Sequence, residues 1–272
     1  MWKSAIVVVL TGWLATGAAM AADVPDRYPG LAAAYLVQVD GHDLWAGNAD
    51  VRLPPASLTK IMTALVVLEA YRPDEVAVVS ANAAKEGGTR LKIKAGEKFS
   101  VAALLTATLM VSANDACAAL AEHHAGSMEA FVARMNERAA SLGLLNTHFA
   151  NPCGFDAADH YSSARDLSRI AHTAMTHSEF AAIVARKEAR IATTEGRRAF
   201  ALKNRNALIG NYKPAIGIKT GFTSRAGKCL MALAEKDGVR VLVVMLDAKS
   251  RWWDTIGLIE KAFEENAGHV SQ

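Results

Sequence analysis

Ser57 and Lys60 stand three residues apart in the run Ser57-Leu58-Thr59-Lys60. On a helix, residues at that spacing share a face with Cβ atoms about 5–6 Å apart, so the ammonium reaches the hydroxyl. A serine hydroxyl is a weak nucleophile until a neighbour takes its proton. A lysine can take it once burial and nearby cations lower its pKa. At a helix start the Ser57 N–H would also face a developing oxyanion. Alone, Ser-x-x-Lys is a common pattern, and a capping serine followed by a surface lysine has the same letters.

Two further motifs give that pair company. Ser112-Ala113-Asn114 lies at the junction of two apolar helical runs. A short connection there would aim Ser112 and Asn114 into a cleft, Ser112 relaying a proton between Lys60 and a leaving group and Asn114 hydrogen-bonding a substrate amide. The same tripeptide occurs at Ser80-Ala81-Asn82, where it reads as a cap or turn. Lys219-Thr220-Gly221 follows the apolar stretch Ala215 to Ile218. On an edge strand Lys219 supplies positive charge, Thr220 a hydroxyl for a substrate carboxylate, and Gly221 room for substrate against the backbone. The N–H of Phe222 is a candidate second oxyanion donor and Thr223 offers a further hydroxyl.

The elements that must position these residues follow from the apolar spacing. Leu31 to Val39 and His42 to Ala46, joined by Asp40-Gly41, read as a hairpin. Ser57 to about Tyr71 has helical spacing, and Pro54-Pro55 breaks the chain ahead of it. Ser100, Ser127 and Ser163 read as N-caps of helices reaching Leu109, about Gly143 and Thr176. From Arg190 onwards the pattern becomes strands (190–194, 198–202, 215–220, 228–234 and 239–246), with Asp237-Gly238 a tight turn and a closing helix over 252–265. The expected fold is α+β: one antiparallel sheet built from both termini, a helical insert over about 57–185, and a cleft between them.

The 272 residues are half hydrophobic and one-fifth charged, which excludes a disordered chain. The net charge of +3 is scattered, so nucleic-acid binding has little support. Lys3, the apolar run Ala5 to Leu14 and Ala19-Met20-Ala21 read as a signal peptide over 1–21, making the mature chain, from 22 to 272, an exported one. Three cysteines leave at least one thiol unpaired. Cys117 and Cys229 read as core residues, and Cys153, in the loop Asn151-Pro152-Cys153-Gly154, stands apart. His123-His124 lacks the H-E-x-x-H spacing of a metal site and reads as a helix end.

The three motifs together are the set found in penicillin-binding proteins and class A β-lactamases. With their flanks (Leu91 to Glu97, Asn146-Thr147-His148-Phe149 and His160 to Asp166), the chain resembles the low-molecular-mass penicillin-binding proteins of the serine D-alanyl-D-alanine carboxypeptidase family. The resemblance covers nearly all of the chain after residue 21, as one catalytic domain of the β-lactamase/DD-peptidase fold. It implies an acyl-enzyme on Ser57 formed from peptidoglycan stem peptides in the periplasm or cell-wall space, and acylation of the same serine by β-lactams. It implies catalytic Ser57, Lys60 and Ser112, and substrate-binding Asn114, Lys219, Thr220, Gly221, Phe222, Thr223 and Arg251, the last near the substrate carboxylate. No cofactor or metal is implied, and a monomer is expected. The choice between Lys60 and Lys219 as base stays open. Cys153 stands where the family carries His or Thr, and the β-rich domain and amphipathic anchor of longer relatives are not expected here. A DD-endopeptidase cutting crosslinks uses the same atoms and is the first alternative. A β-lactamase is disfavoured because no Glu-x-x-Leu-Asn lies between Asn151 and Met175, and a non-catalytic β-lactam sensor because the catalytic set is intact.

Overall fold

The computed structural model describes residues 24–70, 72 and 74–270; the expected signal peptide lies outside them. The chain opens with the hairpin of β1 (Ala32–Val39) and β2 (His42–Gly47). Asp40 and Gly41 both take positive φ at the tip, the two-residue turn whose twist matches its strands. A 3-10 turn (Ala56–Thr59) leads into α1 (Lys60–Glu69). Then come β3 (Val76–Val78), α2 (Ala81–Lys85), β4 (Lys98–Ser100), α3 (Val101–Met110), α4 (Asn114–Ala125), α5 (Met128–Ser141), α6 (Ala164–Met175) and α7 (Ser178–Val184). The last third supplies β5 (Glu188–Ala192), β6 (Ala199–Lys203), β7 (Ala215–Thr223), β8 (Gly227–Lys236), β9 (Val239–Ala248) and α8 (Trp252–Val270).

The main sheet is antiparallel in the order β2-β1-β9-β8-β7, so the two ends of the chain meet where β1 pairs with β9. β7 is left at an edge. The alternation of side chains divides the core in two. One face of the sheet sends Val37, Leu230, Ala232, Val243 and Met245 against Leu258, Ile259, Ala262 and Phe263 of α8. The other sends Leu36, Met231, Leu233, Val244 and Leu246 into the helical lobe. That lobe is organised around α1, whose residues Lys60 to Leu68 are all buried. A helix enclosed on every side can be apolar all round, as this one nearly is.

Ser80, Ser100, Ser127 and Ser163 each accept a backbone N–H three residues on, so all four act as N-caps. Two short ribbons depart from the expected plan. β3 pairs with β4 inside the stretch read as helical, and β5 pairs with β6 outside the main sheet. Three-residue strands are too short to carry a legible alternation.

Candidate active site

A cleft of about 620 Å³ lies between the β7 edge and the helical lobe, lined in part by Ser57, Ser112, Asn114, Thr220, Phe222 and Arg251. Ser57 does not begin an α-helix, as its spacing suggests; it sits in the 3-10 turn, one residue after Ala56 at φ +47°. A left-handed alanine is a strained position that its surroundings must hold. Thr59 Oγ1 donates to the Ala56 carbonyl at 2.8 Å. His160 then fixes Thr59. The Ala150 N–H donates to His160 Nδ1 at 3.0 Å, so Nε2 carries the proton and donates to Thr59 Oγ1 at 2.7 Å. Burial, then repulsion from His148, push the His160 pKa down to about 4, keeping the ring neutral.

Glycines let two other segments close on this turn. A Cβ on Gly221 would lie 3.0 Å from both Ala56 Cβ and the Ser57 nitrogen. The missing side chain makes room for the serine's own turn, and Gly221 also lines the cleft. Gly154, at φ +82°, lies so close to the Ala56 carbonyl that a Cβ there would collide with it.

Lys60 is fully buried beneath Ser57. Its Nζ lies 3.1 Å from Ser57 Oγ and 2.7 Å from Asn114 Oδ1, and it also contacts the Cys153 carbonyl. Two of these partners can only accept. In the neutral amine, the two N–H bonds therefore go to Asn114 and Cys153, and the lone pair is left for Ser57. Burial pushes the Lys60 pKa well below the ordinary lysine value, Lys219 and Arg205 push it the same way, and Glu86 opposes them. Lys219 is also buried, with its Nζ on the Thr220 carbonyl at 3.0 Å. Burial, then Arg205 and Arg251, bring its pKa down to about 7.

Asn114 is held at both ends of its amide, since Nδ2 donates to the Gly87 carbonyl at 2.8 Å. Ser112, at φ +60°, has a buried Oγ with no hydrogen-bond partner and no bond to Lys60. Thr223 lines the cleft, but its hydroxyl is in use: it donates to Asp156 at 2.7 Å and accepts from the Ala226 N–H at 2.9 Å. Arg251 lines the cleft too, donating to the Gly221 carbonyl at 3.1 Å and stacking on Trp252. Phe222 borders the same cleft and is 64 % exposed.

Several site residues were not singled out from sequence. Arg205 reaches Thr89 Oγ1 at 2.9 Å across the cleft wall, and buried Asp115 accepts the N–H groups of Leu91 and Ile93, tying down the loop before β4. The largest correction concerns Cys117. It is disulfide-bonded to Cys153 rather than a free core thiol, and Cys229 is the buried unpaired cysteine. The partners are 36 residues apart in sequence, beyond the reach of local patterns. His123 meets Glu75 at 2.9 Å in the last turn of α4, away from the cleft.

Residues 27–250 match the family model for D-alanyl-D-alanine carboxypeptidase (peptidase S11). The carboxypeptidase DacF of Bacillus subtilis is 35 % identical over 245 residues, covering 87 % of this chain and 63 % of its own length. A D-alanyl-D-alanine endopeptidase of Pseudomonas aeruginosa is 34 % identical over 218 residues, 79 % of this chain and 70 % of that protein. The DD-transpeptidase of Streptomyces K15 superposes with a TM-score of 0.80 at 31 % identity, covering 86 % of this chain and 97 % of that one. The chain thus spans less than two-thirds of the Bacillus relative, whereas it matches nearly the whole Streptomyces enzyme. On the extent of these matches, the chain belongs to the D-alanyl-D-alanine carboxypeptidase family.

Proposed function

We propose that this protein is a serine D-alanyl-D-alanine carboxypeptidase that removes the terminal D-alanine of peptidoglycan stem peptides outside the cytoplasm. The observation that carries this reading is the Lys60 amine, held by two carbonyl acceptors with its third position towards Ser57 Oγ at 3.1 Å. Neutral Lys60 takes the Ser57 proton as Oγ attacks the penultimate carbonyl, and the released D-alanine amine regains a proton through Ser112. Water then hydrolyses the ester. Proximity to Ser57 favours Lys60 over Lys219 as the base, since Lys219 Nζ is committed to the Thr220 carbonyl. Arg205 and Arg251 line the cleft, with Lys219 buried next to Thr220, a positive surrounding suited to the terminal carboxylate, and the N–H groups of Ser57 and Phe222 suit the oxyanion. β-Lactams acylate the same serine.

Crosslink cleavage is the second reading, favoured by the similarity to the Pseudomonas endopeptidase. Incubation with a pentapeptide-bearing monomer and with a crosslinked dimer, with products identified by mass, separates the two. Release of D-alanine from the monomer is expected; cleavage of the dimer alone would replace the carboxypeptidase with an endopeptidase.

A further inference from the structure

The two carbonyls that orient the Lys60 amine come from separate elements: Asn114 opens α4, and Cys153 belongs to the loop before α6. One covalent bond joins those elements. Cys117, three residues beyond Asn114 on α4, is bonded to Cys153 with Cα atoms 6.0 Å apart. Resting on the proposed acyl-enzyme chemistry, we propose that the Cys117–Cys153 disulfide is a positioning device for Lys60, holding the Cys153 carbonyl against Nζ so that the amine's lone pair stays on Ser57.

The tether acts without a lever arm, because the bonded residue is the one whose carbonyl meets the amine. The loop, Cys153 included, is also secured within itself and to α1. Asn151 Oδ1 accepts the N–H groups of Cys153, Gly154 and Phe155 at 3.2, 2.8 and 3.0 Å, and the Pro152 carbonyl accepts from Thr63 of α1 at 2.5 Å. The disulfide therefore adds the link from this loop to α4, where the other lysine acceptor sits. Cleaving it need not unfold the site. Sγ of Cys117 is 3.3 Å from the Pro152 carbonyl and Sγ of Cys153 is 3.7 Å from that of Asn114, so both thiols would find acceptors in place. Reduction by a dithiol breaks the S–S bond and delivers two electrons and two protons to it, leaving two thiols and the reagent's own disulfide.

The charged and titratable groups facing Lys60 are Lys219 on β7, Arg205 after β6, Glu86 after α2 and His160 before α6. None of them changes when the disulfide is cut. What changes is the seal over the amine: water admitted beside a loosened Cys153 restores solvation of the ammonium and raises the Lys60 pKa.

The test follows acylation of Ser57 by a labelled penicillin across pH, in the full chain as purified, after reduction with dithiothreitol, and after re-oxidation. Reduction is expected to slow acylation at pH 7 by about ten- to a hundredfold, the scale of a misplaced reacting group. It should also move the acid limb of the rate to higher pH, and re-oxidation should restore both. A purely structural crosslink would lower thermal stability without moving that limb. Equal rates and limbs before and after reduction would overturn the proposal, as would alkylation of all three cysteines in the unfolded, unreduced chain. The double variant C117A/C153A should reproduce the reduced protein; if it does not fold, reversible reduction of the unaltered chain decides. No adduct even in the oxidised protein would overturn the acyl-enzyme reading itself, an outcome distinct from adducts that form at equal rates.

Discussion

Asn114 Oδ1 accepts from Lys60 Nζ at 2.7 Å, while the same side chain's Nδ2 donates to the Gly87 carbonyl at 2.8 Å. The amide is therefore oriented by the loop at 87–89 and in turn orients the lysine, a role that precedes any contact with substrate. N114A should leave the lysine's N–H without its acceptor and slow acylation about a hundredfold. N114D should slow it as well, because a carboxylate beside Nζ stabilises the ammonium and raises the pH needed to deprotonate it. Penicillin acylation rates against pH distinguish the two: N114A lowers the plateau, N114D chiefly moves the limb.

Gly154 takes φ +82° and is packed on the Ala56 carbonyl, immediately before Ser57. G154A combines a left-handed alanine, costing about 1–2 kcal/mol, with a collision that only movement of the Ser57 turn can relieve. We expect loss of acylation by at least about a hundredfold with a folded circular-dichroism spectrum. Retention of full activity would mean that the turn tolerates displacement.

His160 reaches the reaction only through Thr59, which bonds the Ala56 carbonyl. H160A should destabilise the protein by about 1–3 kcal/mol through unpaired buried groups and lower kcat more than it raises KM. The ring also gives a pH signature. Its folded pKa of about 4 lies below the ordinary histidine value of 6.5, so between these the unfolded chain binds a proton that the folded chain does not. Stability contributed by the neutral ring is thus present above pH 6.5 and falls as the pH drops towards 4. Thermal melts of the unaltered protein should show this loss, and H160A should lack it.

Lys219 is buried with a folded pKa of about 7, against 10.5 for a free lysine. Between those values the unfolded chain holds the extra proton, so the group contributes a stability that rises with pH across that window and a cost below it. K219M should therefore melt higher than the unaltered protein at pH 7 while losing affinity for the substrate carboxylate, seen as a raised KM. A lower melting temperature together with an unchanged KM would contradict both parts.

Features set by neighbouring residues were legible in the sequence. The turns at Asp40-Gly41 and Asp237-Gly238, the four capping serines and the separation of Ser112 from its duplicate at Ser80 all rest on contacts within a few positions. Ser57, Asn114 and Thr220 come together at one cleft, with Lys60 against Ser57, and their motifs are local enough to be read from sequence. What escaped depends on contacts across the fold. His160 meets Thr59 across 101 positions, Arg205 meets Thr89 across 116, and Cys153 meets Cys117 across 36. The closeness of Gly221 to the Ser57 turn was not legible either, because only the packed turn shows what lies beside it. The bond of the Thr223 hydroxyl to Asp156, 67 positions away, was likewise out of reach of local patterns.

The chemistry we propose rests on a buried, neutral Lys60 that activates Ser57. The most direct measurement is the second-order rate of penicillin adduct formation at Ser57 against pH, in the unaltered protein and in K60M, with the adduct located by peptide mass. The unaltered rate should rise through an ionisation well below 10.5, and K60M should be slower by about a hundredfold or more with that limb absent. A K60M protein that keeps both the rate and the limb would contradict this chemistry.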